Sequence, residues 1–272
     1  MITIDLHTHP SPWRCGPGAF HSFVQSALHN GVDILGFCEH GPSILNDPRY
    51  RGLEEREIED YINRVLHLRD EFAGQIQILC GLELDYHPDV LDRYAWMRRE
   101  LPVDYFMGSV HIIDDWYIDT VDSSGTSIHR NKSLQELYQL YYDTLNEAVN
   151  TDLFDVIGHI DYIRRSLSHP PETPPDFSQD IFAELAQRLA IKQVAVEVNT
   201  RGWRIEAMQE VHPTLPLRKA LARAGVMFTI GSDAHEGKDI GAGIKEAGRL
   251  LLLDGIDEVV YFRNFEKHFI SL

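Results

Sequence analysis

The chain has 272 residues, 43% of them hydrophobic and 25% charged, an ordinary globular composition long enough to bury a large core. Its formal net charge of -17 argues against nucleic acid as a bulk partner and is compatible with bound cations. There is no apolar run of 18 residues, and the opening MITIDLHTHP lacks the basic and apolar regions of a signal peptide, so neither a membrane span nor export is expected.

Apolar, β-branched runs at Ile2–Leu6, Asp33–Cys38, Ile76–Leu82, Tyr105–Val110, Phe154–Ile157, Gln193–Val198, Val226–Ile230 and Glu258–Phe262 read as strands. Amphipathic stretches at Phe20–His29, Glu54–Phe72, Leu134–Asn150, Ile181–Ala190, Pro216–Ala224 and Lys245–Leu252 read as helices. This alternation implies parallel strands joined by crossovers, and seven or eight such units fit a closed barrel in one domain spanning 1–272. Gly41–Gly52, Asp122–Ser133 and Ser166–Asp176 read as loops. The cysteines, Cys15, Cys38 and Cys80, match no zinc-finger or redox spacing. Reduced thiols in a cytoplasmic protein are expected, with Cys38 and Cys80 in the core.

Most of the strand ends carry a histidine although only 14 of the 272 residues are histidine. His7 and His9 follow the first strand, His40 the second, His111 the fourth, His159 the fifth and His235 the seventh. Glu83 ends the third, and Asp233 also follows the seventh. The C-terminal ends of parallel barrel strands converge on one mouth, so these residues are expected to meet. His7-Thr8-His9 and Asp233-Ala234-His235 are i, i+2 pairs whose side chains share one face of an extended chain. Imidazole with carboxylate suits zinc, iron or manganese. Eight such groups exceed the four that one tetrahedral ion needs, so more than one ion is expected, with Glu83 the bridging candidate. His29, His67 and His268 read as exposed helical residues. His87, His129, His169 and His212 fall in polar or proline-containing stretches and carry no assigned role. Arg164 and Arg165 after the fifth strand, and Asn199, Arg201 and Arg204 after the sixth, are the candidate substrate contacts, guanidinium being a bidentate phosphate ligand.

Seven segments run in order along the chain: Asp5-Leu6-His7-Thr8-His9, Glu39-His40, Gly81-Leu82-Glu83-Leu84, Gly108-Ser109-Val110-His111, Gly158-His159-Ile160-Asp161, Glu197-Val198-Asn199-Thr200 and Gly231-Ser232-Asp233-Ala234-His235. They resemble the polymerase-and-histidinol-phosphatase (PHP) superfamily and, within it, the histidinol phosphatases. The resemblance implies a distorted TIM-like (β/α)7 barrel, with one of the eight strands peripheral. It implies a site of two or three divalent ions, zinc, iron or manganese. His7, His9, Glu83 and Asp233 would serve one ion, and Glu83, His111 and His159 a second. His40 and His235 would serve a third, with one further ligand. The family carries Asp, Glu or His at that further position, where this chain has Cys15. A thiolate binds zinc, so Cys15 is one candidate ligand and His21 another; a weak or empty third site is the remaining reading. Arg165 and Arg204 match the arginines that hold substrate phosphate in the similar phosphatases.

The implied reaction is hydrolysis of L-histidinol phosphate to L-histidinol and phosphate in histidine biosynthesis. Attack by a metal-bridging hydroxide is expected, with no phospho-enzyme. His235 is expected at the reacting centre, and Asp161 is a candidate orienting residue or proton shuttle. Another PHP esterase, a broad phosphatase or a nucleotide phosphodiesterase, is the alternative. The expected partner is a small phosphorylated substrate, and the expected state a monomer or small homo-oligomer.

Overall fold

The computed structural model describes residues 2–10, 19–42, 52–113, 116–118, 132–166, 178–206 and 208–272. Cys15 and the greater part of each of the three expected loops lie outside these residues, as do His129 and His169.

Seven parallel strands form the central sheet: β1 (Ile4–Thr8), β2 (Ile34–His40), β3 (Gln77–Asp85), β4 (Tyr105–Ser109), β7 (Val156–Ile157), β8 (Ala195–Asn199) and β9 (Phe228–Gly231). They are neighbours in that order. Two short strands, β5 (Ile112–Ile113) and β6 (Trp116–Tyr117), pair with each other in a separate antiparallel ribbon. Nearly every strand residue is buried, apolar and polar alike, because both faces are covered, one by the barrel interior and one by helices.

The sheet nearly closes. Thr8 bridges Ala234 in parallel, the His9 amide donates to the Ala234 carbonyl at 2.8 Å, and the Ala234 amide donates to the His7 carbonyl at 3.3 Å. Inside the barrel, the Tyr105 hydroxyl donates to the Leu6 carbonyl at 2.5 Å, tying β4 to β1. Gly81 makes space for that ring, because a Cβ there would lie 2.3 Å from Tyr105 Cζ. Cys38 and Cys80 are buried in this core, as expected.

Helices α1 (Ala19–Asn30), α2 (Glu55–Glu71), α3 (Leu91–Glu100), α4 (Leu134–Asn150), α5 (Ser178–Lys192), α6 (Leu215–Arg223) and α7 (Ile244–Leu253) connect the strands. In α1 the buried Ala19, Phe20, Phe23, Val24 and Ala27 form one stripe at helical spacing. Helix α2 starts with a capping box between Glu54 and Glu57, and α4 with one between Ser133 and Glu136. None of the helices is long and apolar enough to cross a membrane, among the described residues.

One helix went unread in the sequence, and one histidine lies on a different element than expected. Helix α3 is missing from the sequence reading because it buries only Tyr94 and Met97, too narrow an apolar stripe to stand out. The eighth predicted strand is real but lies outside the barrel sheet, which fits one peripheral strand. Glu258–Arg263 (β10) pairs antiparallel with Glu266–Ser271 (β11) in a hairpin. His268 therefore sits on a strand, stacked against Tyr261, rather than on a helix. At the hairpin turn, the Phe265 amide donates to the Asp104 carbonyl and its ring meets Phe106 edge-on. Asp104 immediately precedes β4, so the hairpin covers the N-terminal end of the barrel and leaves the other end to the histidines.

Candidate metal centre

Main-chain register brings the site together. The parallel pairing of β2 with β3 sets His40 beside Glu83, and His40 Nδ1 lies 2.8 Å from Glu83 Oε2. The clip between β1 and the segment after β9 sets His7 and His9 beside Asp233 and His235.

Glu83 is the hub. Its carboxylate lies 2.8 Å from His40, 2.9 Å from His159, 3.4 Å from His7, and 3.6 Å from both His9 and His111. His9 stacks on His40 with ring centroids 4.1 Å apart and sits 4.4 Å from His235. His9 Nε2 is 3.6 Å from Asp233 Oδ1. Within this cluster, ligand atoms of three triads lie within 4.8 Å of one another: His9, His40 and His235; His7, His9 and Asp233; and His7, Glu83 and His159.

Carboxylates behind the cluster aim the rings. Glu197 accepts from His7 Nδ1 at 2.7 Å and from the His159 amide at 2.9 Å. Asp85 lies 2.9 Å from His111 Nδ1 and accepts from the His111 amide at 3.0 Å. A carboxylate on one ring nitrogen fixes the tautomer and turns the other nitrogen outward as a ligand. Neither Glu197 nor Asp85 carried an assigned role in the sequence; Glu197 stood in a quoted segment, and its offset of two residues before Asn199 was the available clue. Gly231 is required by the same arrangement, since a Cβ there would lie 2.1 Å from Glu197 Oε1 and 2.5 Å from His7 Cβ.

The residues fit a metal site. His7 Nε2, both ring nitrogens of His9, and His159 Nδ1 are buried with no hydrogen-bond partner among the described residues. Buried polar atoms ordinarily find partners, and the two of these that face Glu83, His7 Nε2 and His9 Nε2, together call for a cation. Backbone geometry agrees: His159 and Asp233 have φ of 22° and 54°, a region that non-glycine residues occupy rarely and mostly where surroundings over-determine them.

The electrostatics follow from burial and mutual contact. Burial opposes the charged form of Glu83, but His40, His7 and His111 outweigh it and hold the carboxyl well below its usual range. Burial likewise opposes ionisation of Asp233, and Arg201, His7 and His235 overcome it. Burial, with His40, His235 and His7 close by, keeps His9 neutral. His235 is pushed down to about 3, first by burial, with Arg201 and His40 adding to it against the pull of Asp233. Burial opposes the charged form of His7, but Glu197, Glu83 and Asp233 outweigh it and hold the ring well above its usual range. The ionised carboxylates and the neutral His9 and His235 are in the protonation states that bind metal, and an ion bound at His7 would displace its proton.

The arginines divide. Arg201 Nη1 donates to Asp233 Oδ1 at 2.8 Å. Arg204 donates to the Ser232 carbonyl at 2.6 Å, directly beside Asp233. Arg165 lies over the Tyr162 ring, 5.1 Å from its centroid, and Tyr162 in turn packs against His111 and His159. Arg164 is buried and paired with Glu210 at 3.1 Å, a structural ion pair rather than a group facing the cluster. Asn199 is also inside the protein: its side chain donates to Glu197 and Asp233 and accepts from the Arg201 amide. Asp161 accepts from His212 Nδ1 and from the Thr214 amide, so it orients His212 instead of pointing at the cluster. His212, given no role from sequence, is buried with its ring centroid 6.3 Å from that of His159. His21 is half-exposed and pairs with Glu71 on the outside of the barrel, away from the cluster.

A family model described as the PHP domain matches residues 5–201. The chain belongs to the PHP domain family. This PHP protein is 30% identical over 249 residues to a probable histidinol-phosphatase of Deinococcus radiodurans, covering 87% of this chain and 88% of that protein. It is 26% identical over 269 residues to the histidinol-phosphatase of Lactococcus lactis, covering 96% and 95% of the two chains. A crystal structure of histidinol phosphate phosphatase from Lactococcus lactis, complexed with zinc, L-histidinol and phosphate, shares the PHP fold with a TM-score of 0.80. It is 24% identical to this chain, and the match covers 98% of each.

Proposed function

We propose that this PHP protein is a histidinol-phosphatase, a metal-dependent phosphoric monoester hydrolase that converts L-histidinol phosphate to L-histidinol and phosphate. The observation that carries the reading is Glu83, one buried carboxylate facing five imidazoles at the mouth of the barrel. Relatives named histidinol-phosphatase, matched over nearly their full length, supply the substrate.

In this reading two or three divalent ions, zinc, iron or manganese, are held in groups that share ligands. His7, His9, Glu83 and Asp233 hold one ion, Glu83, His111 and His159 a second, and His40 and His235 a third. Cys15 is the further candidate for the third. When bound, the ions supply water that ionises near neutral pH and positive charge against the phosphoryl oxygens.

The chain's own residues do the rest. Glu197 and Asp85 hold His7 and His111 in ligating orientation. Arg165 and Arg204 bind the phosphoryl oxygens, Arg204 with its position set by the Ser232 carbonyl. Charge that builds on those oxygens in the transition state meets guanidinium groups already in place. His40 and His235, less buried than His7 and His9, border the space that substrate enters. Asn199 positions Asp233, and Asp161 positions His212; neither touches substrate in this reading. We read the location as cytoplasmic, in keeping with the free thiols of Cys38 and Cys80.

Phosphate release from L-histidinol phosphate by purified protein, set against a panel of nucleotides and phosphodiesters, tests the substrate. Histidinol phosphate is expected to have the highest kcat/KM. A nucleotide hydrolysed far better, or full activity in metal-free protein, would overturn the reading.

A further inference from the structure

Arg201 stands where a cation is wanted. The turn after β8 brings its guanidinium into the cluster, where Nη1 donates to Asp233 Oδ1 at 2.8 Å. The same nitrogen is 3.3 Å from His235 Nδ1. That ring nitrogen also lies 3.2 Å from the Asp233 carbonyl. Asp233 Oδ1 is the oxygen that faces His9 Nε2, 3.6 Å away. The other oxygen, Oδ2, accepts from Asn199 Nδ2 at 3.3 Å. Asn199 holds both partners, because its Oδ1 accepts from the Arg201 amide at 3.0 Å. The ion pair is therefore built into the fold, with a turn held by Asn199 behind the guanidinium and the buried segment just after β9 behind the carboxylate.

A guanidinium is charged at every working pH, so this positive charge is permanent. It lies between a candidate ligand of one triad, Asp233, and one of another, His235. A divalent ion entering that corner meets a carboxylate oxygen already accepting a charged hydrogen bond and a like charge a few ångströms away. We infer that Arg201 is a resident cation of the site, occupying the Asp233–His235 corner and weakening the ion bound there. This inference rests on the metal reading proposed above. It gives Arg201 a task different from that of Arg165 and Arg204, which bind phosphoryl oxygens in that reading.

The test is titration of metal-depleted protein with manganese and with zinc, followed calorimetrically, with ions per chain counted by elemental analysis. Arg201→Gln is expected to bind its weakest ion at least tenfold more tightly than wild type, or to hold one more ion per chain. Arg201→Lys keeps the charge and is expected to stay within about threefold of wild type. Ion binding by wild type with no gain in Arg201→Gln overturns the inference and leaves the metal reading standing. A tenfold gain in Arg201→Lys as well overturns it too, because charge would then not be the cause. No ion binding by any of the three proteins overturns both.

Discussion

Histidines make metal ligands only when something decides which nitrogen faces the ion, and in this chain buried acids lie against two of the candidate rings. Glu197 sits on His7 Nδ1, and Asp85 on His111 Nδ1. Removing such a partner loosens the ring without removing the ligand. Glu197→Gln is expected to lower metal affinity by about 10–100-fold, read by titrating metal-depleted protein; an affinity equal to wild type would show that the carboxylate does not orient His7. Glu83→Ala removes the hub itself. It is expected to lose at least one bound ion per chain by elemental analysis, together with nearly all phosphatase activity. Gly231→Ala drives a methyl group into Glu197 and His7 and is expected to cost about 1–3 kcal/mol, as overpacking does, seen as a lower denaturant midpoint at unchanged m. The clustered histidines were legible in the sequence because a rare residue recurring at strand ends is conspicuous. Glu197, Asp85 and His212 were not: a carboxylate inside a strand looks the same whether it faces a ligand, a turn or solvent, and a lone histidine in a polar, proline-containing stretch looks like any loop residue.

Elements that the sequence announced are those buried on both sides. Strands β2 and β3 carry the apolar runs Ile34–Cys38 and Ile78–Leu82 because water reaches neither face. Helix α3 carries two buried residues in ten, and its pattern drowned in charge. The run at 258–262 signalled a strand correctly, yet β-propensity describes fitness for a pleated, half-buried surface and is silent on the partner. Partnering came from the turn at Asn264 and Phe265, which folds the run back on itself. Contacts between elements carry their own prediction. The Tyr105 hydroxyl ties β4 to the Leu6 carbonyl across the barrel. Tyr105→Phe leaves that buried carbonyl without its donor and is expected to cost about 1–3 kcal/mol in chemical denaturation, with the ligand triads intact and metal stoichiometry unchanged.

Across the whole molecule, the site couples to stability because ions that bind the folded state and not the unfolded chain stabilise it by mass action. At free metal about 100 times the dissociation constant, one such ion adds about 2.7 kcal/mol, a rise of several degrees in Tm. Chelation is expected to lower Tm accordingly and to abolish phosphatase activity, with manganese or zinc restoring both; a Tm indifferent to chelator would argue that no ion contributes to the fold. The sequence by itself determined the alternation of strands and helices, the barrel class and the identity of the histidines that cluster, because periodicity and residue type are local properties. Only the tertiary structure decided how many imidazoles face Glu83, that Arg201 rather than Arg164 enters the cluster, and that Asp161 serves His212. Those facts depend on strand register and on which way each side chain turns, and residues such as His7 and Glu197, 190 positions apart, acquire their relation only when the barrel closes.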